Sequence, residues 1–340
     1  MNLTRGLRYR MLVMVFVVWG VTYAWECDAG TPKPVPHMQA VPLPRGEVAF
    51  EYGGDELCRL HAGKGLRRPF IYPLNGPSGL SLTRMGHPHD PVSHSHHNSV
   101  WLSHHQVNDE TFWADSGGVI TNCVIHRLED ADAEASVELH CVWQTPGEQK
   151  LLMEKRVMTV FPGVVAEHAS THLPDWLLVI ETELTAHLQA VTLGATPFGL
   201  VGVRMRRSIG VHDGGGTIRN SEGGVDEKEC FRKRCRWVDY SGPVKNGVIE
   251  GVTLFDHPIN PGHPVAFHVR DDGWMGACLS LGKPIVIQKG GSLSLSYGLW
   301  IHSGQVSSSV IDTTWKSFVA KERHFISDGT RTSSRGDQAP

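Results

Sequence analysis

The sequence predicts a single, mainly antiparallel all-β domain with a short helix near its C-terminus. Apolar and polar residues alternate at period two in several separate stretches, 37 glycines and 20 prolines supply turns, and strands do not alternate with helical segments. A chain of 340 residues, 40% hydrophobic and 20% charged, can bury the core of a large sandwich or barrel. Its formal net charge of −3 gives no electrostatic basis for nucleic-acid binding.

Residues 1–29 have the features of an export signal. Three arginines precede an apolar stretch at 11–25, which is shorter than the roughly 20 residues that a membrane span needs. Cys27-Asp28-Ala29 places small residues where signal peptidase expects them, before Gly30. We therefore expect a periplasmic or extracellular protein with no membrane contact beyond this segment. An uncleaved N-terminal anchor is the alternative.

The segment 30–45 carries five prolines, which predicts an extended linker in front of a β-domain at 46–325. Four stretches of that domain show the strand alternation most clearly, namely 137–143, 180–184, 265–269 and 293–301. Alternation of this kind means that one face of each strand packs against the core while the other meets solvent or a second layer.

A helix is predicted around 311–318, where apolar residues recur at helical spacing. Asp312 or Ser309 is expected to cap it. The polar segment 326–340 is expected to be a flexible tail.

Six cysteines lie beyond residue 29, at positions 58, 123, 141, 230, 235 and 278. An even number in an exported chain permits disulfides, and Cys230 and Cys235 are close enough to pair across a turn. Buried free thiols are equally compatible with the sequence, because a core of this size needs no covalent staples.

The chemically densest segment is 86–113, which holds seven of the twenty histidines. Imidazole titrates near neutral pH, binds transition metals and moves protons. If this segment is a strand, His94 and His96 point to one face and His97 to the other. With a carboxylate such as Asp90 or Asp109, His94 and His96 are then candidate ligands for a divalent metal, although their spacing fits no tight metal motif.

The same segment holds candidates for catalysis and for sugar binding. His97 and His104 are the candidate residues for moving a proton. Trp101, Asn108 and Trp113 are candidates for substrate contact, because the C–H faces of a sugar pack on aromatic rings while its hydroxyls bond to polar side chains. The alternative is a solvated polar loop whose histidines only cap backbone groups.

Further candidates lie at strand ends and in turns. Arg204 and Arg270 carry the planar fork that binds carboxylates or sugar hydroxyls, and for Arg204 the alternative is a strand-end ion pair. Glu222 and Asp239 are candidate proton donors or acceptors, but the sequence does not show whether any two acids lie close together. The remaining candidates for substrate contact are Trp237, Tyr240 and His257.

Several blocks of the sequence carry a family resemblance. They are Pro73-Leu74-Asn75-Gly76-Pro77, His94-Ser95-His96-His97-Asn98-Ser99-Val100-Trp101, Val107-Asn108, Phe112-Trp113, Asn220-Ser221-Glu222-Gly223, Trp237-Val238-Asp239-Tyr240-Ser241-Gly242, Asp256-His257-Pro258 and Val269-Arg270. With these blocks the chain resembles a bacterial family of unknown function labelled "methane oxygenase PmoA", over residues 46–305. The resemblance implies a large β-sandwich or supersandwich, like that of the aldose mutarotases.

Export, a large β-fold and a region that mixes His, Trp, Asp and Arg favour a carbohydrate-active protein. It would be a lyase, hydrolase or epimerase that uses acid–base catalysis on a sugar, a glycan or a related small molecule. One alternative is a non-catalytic glycan-binding module, which needs the tryptophans but not the histidines. The other, implied by the family label, is a metal-dependent oxidoreductase with iron or copper at the histidines. The sequence leaves open whether a divalent metal is bound.

Overall fold

A computed structural model describes residues 34–87, 89–163 and 172–325. The predicted export signal at 1–29 and the predicted tail at 326–340 lie outside the described residues. Within the described ranges, no helix is both long enough and apolar enough to cross a membrane.

Two eight-stranded antiparallel sheets form the domain, as the period-two alternation predicts. The first sheet contains, in spatial order, β1 (Met38–Leu43), β2 (Glu47–Tyr52), β3 (Asp55–His61), β4 (Phe70–Leu74), β5 (Val100–His104), β11 (Gly199–Arg204), β16 (Trp274–Cys278) and β15 (Ala266–Arg270). The second contains β12 (Thr217–Asn220), β13 (Trp237–Lys245), β14 (Val248–Asp256), β18 (Ser292–Ser303), β9 (Trp176–Thr185), β8 (Lys150–Pro162), β7 (Ala135–Gln144) and β6 (Val119–Asp130). The remaining elements are the short pair β10 (Val191–Leu193) and β17 (Ile285–Ile287) and the helices α1 (Asp226–Cys230) and α2 (Ser308–Val319).

The main core lies between the two sheets, because each sheet turns one apolar face inward. Alternation in β7 shows this directly: Leu139 and Cys141 are buried, whereas His140 between them is only partly covered. Core residues from both sheets join one cluster, which includes Leu102, Val201 and Met275 of the first sheet and Leu139, Ile180 and Leu254 of the second. The architecture is therefore an all-β sandwich.

The predicted C-terminal helix is α2, and it covers the outer face of the second sheet. Its residues Ile311 and Phe318 pack on Trp237 and Trp300. The cap differs from the expected Asp312 or Ser309: the helix begins after Ser307, whose side chain accepts a hydrogen bond from the backbone N–H of Val310. Asp312 instead accepts a hydrogen bond from Trp237 Nε1 at 2.8 Å.

The segment predicted as a proline-rich linker contains an ordered strand. Strand β1 pairs with β2 along its full length, from Met38 opposite Tyr52 to Leu43 opposite Glu47. The prolines are compatible with pairing because β1 is the edge strand of its sheet, where Pro42 needs no backbone donor on the open side. The compact domain therefore begins before the expected boundary at residue 46.

The cysteines resolve the alternative that the sequence left open. The six described cysteines are free thiols, and five of them are buried. Cys230 and Cys235, the pair that sequence spacing singled out, are both buried and unpaired. Burial of the large core therefore stabilises the described domain without disulfide bonds.

Candidate functional site

A cleft with a volume of about 490 Å³ opens on the outer face of the first sheet. We call it the histidine cleft. Its lining residues come from four separate parts of the chain: His94, His96, His97, His105, Trp113, Ala114, Phe198, Arg204, His268, Arg270, Asp272 and Trp274. Three neighbouring strands, β11, β16 and β15, supply its base.

Two glycines shape the floor of this cleft. Gly202 in β11 lies opposite Gly276 in β16, and the indole of Trp274 lies over both. A Cβ atom on Gly202 would approach Trp274 Cη2 to 2.6 Å, and one on Gly276 would approach Trp274 Cζ2 to 2.8 Å. The missing side chains therefore let the tryptophan lie flat on the sheet. Trp101 and Trp113 pack against it to complete a small aromatic cluster.

The histidine-rich segment is a turn and not a strand. Residues 91–96 are in turns, and the backbone N–H of His97 donates to the carbonyl of His94 at 3.1 Å. The expectation that His97 faces away from His94 and His96 is therefore wrong, because a turn brings successive side chains to the same side. All three imidazoles line the histidine cleft.

Arg68 holds this turn in place, although its side chain is not among those that line the cleft. Its buried guanidinium donates to the carbonyls of His96 at 3.2 Å, Phe112 at 3.1 Å and Ala114 at 2.6 Å, and to Asn98 Oδ1 at 2.8 Å. One side chain thus ties together the two loops that carry His96 and Ala114. Burial lowers the pKa of Arg68 to about 10, so it stays charged at neutral pH.

His97 is held between two tryptophans. Its ring stacks on Trp101 with centroids 5.4 Å apart and on Trp274 with centroids 5.2 Å apart. Only 7% of the residue is exposed, and its Nδ1 is buried with no hydrogen-bond partner in the described part of the chain. Burial, followed by the neighbouring charges of His96 and Arg204, lowers the pKa of His97 to about 2. The imidazole is therefore neutral at physiological pH.

Arg204 lies at the end of β11 and is fully buried. Its Nη1 donates to Asp272 Oδ1 at 2.9 Å, and His87 Nε2 lies 3.0 Å from the other oxygen of Asp272. Burial by itself raises the pKa of Asp272, but the hydrogen bonds and charges of Arg204 and His87 outweigh it and lower the pKa to about 2. Arg204 Nε and Nη2 are buried without a partner among the described residues. Such donors are rare in a folded protein and favour a binding role.

His94 forms a pair with Asp90 at the rim of the cleft. Its Nδ1 lies 3.0 Å from Asp90 Oδ2, and Ser93 also donates to this carboxylate. The hydrogen bonds from Ser93, followed by His94, lower the pKa of Asp90 to about 2, so the carboxylate is ionised. A carboxylate partner places the proton on Nδ1 and leaves Nε2 of His94 as the basic nitrogen.

The opposite wall of the cleft combines His268, Arg270 and Phe198. Phe198 packs on His268 with ring centroids 5.4 Å apart. Burial, followed by the charges of Arg232 and Arg270, lowers the pKa of His268 to about 4. Burial also lowers the pKa of His96 to about 4, with Arg68 as the next cause. The neutral imidazoles of His96, His97 and His268, beside arginines, are suited to polar or anionic ligands.

Four candidates from the same segment are not among the lining residues. Trp101, a candidate for substrate contact, is fully buried and packs against Trp113 and Trp274. His104 is fully buried, with Nε2 2.9 Å from Ser280 Oγ, and burial lowers its pKa to about 4. Asn108 shapes a turn by accepting a hydrogen bond from the backbone N–H of Thr192 at 2.9 Å. Asp109 is exposed in that turn. Among the described residues, no group of three or more His, Cys, Asp or Glu side chains is arranged to hold a metal. The predicted set of His94, His96 and Asp109 is therefore not assembled.

Asp239 belongs to a buried polar cluster on the second sheet, which we call the Asp239 network. Its carboxylate lies 2.9 Å from His302 Nε2 and accepts hydrogen bonds from Arg219 Nη2 at 2.6 Å, Thr253 Oγ1 at 3.0 Å and Ser241 Oγ at 3.2 Å. Burial raises the pKa of Asp239, but His302 and Arg219 outweigh burial and lower it. These partners occupy both carboxylate oxygens.

The other sequence candidates have separate structural positions. Trp237 packs beneath α2, and Glu222 is exposed in a turn. His257 is buried, with Nδ1 accepting from the backbone N–H of Ile259. Tyr240 supports the cleft indirectly. Its hydroxyl donates hydrogen bonds to the carbonyls of Arg270 and Asp271 and so fixes the loop that carries Asp272.

Sequence reasoning found the histidine turn, Trp113, Arg204 and Arg270, but missed Arg68, Phe198, His268, Asp272 and Trp274. Asp271-Asp272-Gly273 is typical of a hairpin turn, which conceals the role of Asp272. Gly202 and Gly276 were the sequence signal that could have revealed the floor of the cleft, because a glycine inside a strand often marks close approach by another group.

Comparisons with known proteins match this chain to one family. The sequence profile of DUF6807, a family of unknown function, matches residues 47–316. No curated protein matches the chain. A solved structure, the "heparan sulfate lyase HepC mutant from Pedobacter heparinus", is similar to it with 8% sequence identity and a TM-score of 0.37. That similarity covers 80% of this chain and 38% of the solved chain.

Proposed function

The chain belongs to DUF6807, a family of unknown function, and we propose that it is an exported carbohydrate-active protein. In this proposal it binds a sugar in the histidine cleft and catalyses proton transfer at a sugar carbon. The observation that carries the proposal is the Asp90–His94 pair at the rim of a cleft lined by Trp113 and Trp274. Export rests on the features of residues 1–29.

The cleft offers both kinds of contact that a sugar needs. Trp274, Trp113 and Phe198 provide aromatic surface for the C–H faces of a ring. The neutral imidazoles of His96 and His97 can donate to or accept from hydroxyl groups. The volume of about 490 Å³ is within the range of small-ligand sites.

His94 is the proposed base, because Asp90 orients its ring and leaves Nε2 available. Arg204 and Arg270 stabilise the negative charge that develops when Nε2 takes a proton from a carbon next to a carboxyl group. In epimerisation, the electron pair left on carbon takes a proton from water on the opposite face. In elimination, it expels a neighbouring oxygen substituent, which leaves as an alkoxide and is protonated by water. In both cases His94 Nε2 then releases the abstracted proton to solvent. This role falls to His94 and not to His97, because a pKa of about 2 makes His97 a weak base.

The acids of the cleft favour a lyase or epimerase over a hydrolase. Glycoside hydrolysis generally uses two carboxylates on opposite sides of the scissile bond. Among the described lining residues Asp272 is the one carboxylate, and Arg204 and His87 engage its two oxygens. The histidines also do not fit the metal site of an oxidoreductase, since among the described residues no three His, Cys, Asp or Glu side chains are arranged to hold a metal. No step of the proposed reaction passes through a metal.

Deuterium exchange provides the test. The purified protein is incubated in D₂O with a panel of neutral and acidic sugars and their oligomers, and deuterium at sugar carbons is followed by NMR together with any product. We expect exchange or product with the wild type and a loss of about 10²–10⁴-fold in rate for His94→Gln. Asp90→Asn is expected to reduce the rate as well, because the ring loses its orienting partner.

His89→Gln is the matched control, because His89 lies in the same region but pairs with Asp213 and does not line the cleft. It is expected to keep the wild-type rate. Sugar binding without exchange or product from any panel member would replace the enzyme with a glycan-binding module. Absence of binding to every sugar would overturn the proposal.

A further inference from the structure

A second cavity of about 490 Å³ lies at the far end of the two strands that carry part of the histidine cleft. We call it the basic cavity, because Arg232, Arg234 and Lys283 are among its lining residues. Strand β15 connects the two: Ala266 at its start lines the basic cavity, and Arg270 at its end lines the histidine cleft. Four residue steps along a strand separate their Cα atoms by about 13 Å.

An aromatic side chain flanked by two arginines joins the two cavities. Phe231 meets the ring of His268 edge-on, with centroids 5.0 Å apart. The guanidinium of Arg270 lies 5.9 Å from the Phe231 ring, and that of Arg232 lies 5.0 Å from it. Positive charge therefore continues from the histidine cleft to the basic cavity.

The cations along this path differ in how far acids neutralise them. Arg204 is paired with Asp272, and Arg270 with Glu227. In the part of the chain that the structure describes, Arg232, Arg234 and Lys283 form no ion pair with a carboxylate, and all three are exposed. Arg234 donates to the carbonyls of Gly262 and Pro264, which leaves Arg232 and Lys283 as the freest charges.

We infer that the histidine cleft and the basic cavity together bind an acidic oligosaccharide. This inference rests on the proposed function and names its substrate class. One uronate residue occupies the histidine cleft with its carboxylate toward Arg204 and Arg270, and the following residues extend past Phe231 toward Arg232 and Lys283. The same carboxylate makes the adjacent carbon acidic enough for the proposed proton transfer.

Oligouronates of increasing length provide the probe. Oligomers of galacturonate, glucuronate and mannuronate, from monomer to hexamer, are titrated into the full protein by calorimetry at two salt concentrations. Methyl-esterified oligomers serve as neutral analogues with the same backbone. We expect affinity to rise with length, to fall with salt and to be lost on esterification.

The double variant Arg232→Gln/Lys283→Gln separates the basic cavity from the histidine cleft. It is expected to lose roughly three- to twentyfold in affinity for the longer oligomers, from two lost charge contacts, and to bind the monomer as the wild type does. Lys150→Gln/Lys245→Gln makes the same change in net charge on exposed lysines of the second sheet and is expected to change nothing.

The outcomes separate this inference from the proposed function. Equal affinity for esterified oligomers, no dependence on length, or no effect of the double variant would overturn the acidic-oligosaccharide inference while the sugar cleft stands. Polyglutamate binding as tightly as the oligouronates would keep the basic path but overturn the sugar assignment. Binding to no oligouronate overturns the inference, and binding to no sugar at all overturns both.

Discussion

The histidine cleft and the Asp239 network contain the same kinds of residue but differ in how far their carboxylates are exposed to solvent. In the Asp239 network, four donors meet one fully buried carboxylate, and one of these donors, Arg219, has a side chain that is 21% exposed. In the histidine cleft, the side chain of Asp272 is 35% exposed. Within the described residues both regions keep buried nitrogens without a partner, namely Nε and Nη2 of Arg204 in the cleft and Arg219 Nε and His302 Nδ1 in the network. Arg204 differs in lining a cavity that a ligand can enter.

This difference shows why residue type alone does not identify a site. Histidine, acid and arginine occur together in both regions, and both were candidates on sequence grounds. A buried carboxylate that accepts from four donors, as Asp239 does, contributes to the specificity and stability of the fold. A partly satisfied group beside a cavity is better explained by a ligand. We therefore expect mutations in the two regions to change different measured quantities.

Asp239→Ala gives the largest expected effect, and it falls on stability. The variant leaves the charge of Arg219 without its buried partner and removes the acceptor of three other donors. We expect a loss of about 3–5 kcal/mol in the free energy of unfolding, measured by urea denaturation. Asp109→Ala, at an exposed acid, is the control and should be near neutral. A fully stable Asp239→Ala that loses sugar turnover would reverse our assignment of the two regions.

Gly202→Ala tests the floor of the histidine cleft. The added Cβ would stand 2.6 Å from Trp274 Cη2, so the indole must move. We expect a loss of about 1–3 kcal/mol in unfolding free energy, together with weaker sugar binding and altered tryptophan fluorescence. Gly147→Ala is the control, because the nearest atom to its added Cβ is 3.8 Å away. Unchanged binding by Gly202→Ala would show that the flat position of Trp274 is not needed.

His97→Phe distinguishes the two regions by how their contribution to the free energy of unfolding depends on pH. The pKa of His97 is about 2 in the folded protein and about 6.5 in an unfolded chain, so between these values the unfolded chain binds more protons. Stability therefore falls as pH falls below about 6.5, by up to about 1.4 kcal/mol per pH unit from this group. Phenylalanine keeps the stacking but cannot titrate, and the variant should lose that part of the pH dependence.

The measurement compares urea unfolding at about pH 7 and about pH 5, where His97 changes its protonation on unfolding. Asp239 supplies the contrast. Its pKa lies below the usual 3.8, so its contribution to stability is present above that value and is lost as pH falls through the lowered pKa. The Asp239 carboxylate itself should therefore add no pH dependence between those two conditions. An identical pH slope in wild type and His97→Phe would contradict the burial of this imidazole.

Ser307→Ala has the smallest expected effect and concerns the helix that covers the second sheet. The variant removes the side-chain oxygen that caps the N-terminus of α2. We expect a loss of about 1 kcal/mol in unfolding free energy and no change in sugar affinity. Ser309→Ala, at the cap that the sequence suggested, is the control and should cost less. A larger effect on binding than on stability would link α2 to the histidine cleft.

The strands of the sandwich were predictable from local pattern, because period-two alternation in stretches such as 137–143 depends only on which face is buried. Part of the candidate site was predictable for a similar reason. The histidine turn is continuous in sequence, so its chemical density is visible without a structure. Its conformation was not, since residues 91–96 form a turn fixed by Arg68, some thirty positions away.

By itself, the sequence determined the β architecture, the C-terminal helix and one segment of the histidine cleft. Only the tertiary structure decided which polar residues share that cleft. Strands β5, β11 and β16 are neighbours in the sheet but distant in the chain, and their register places Arg204 opposite Trp274 and Gly202 opposite Gly276. Local propensity sets which way a side chain points along its own strand, whereas strand pairing sets which side chains meet across the sheet. That pairing leaves Arg204 with unused donors beside a cavity and encloses Asp239 among partners.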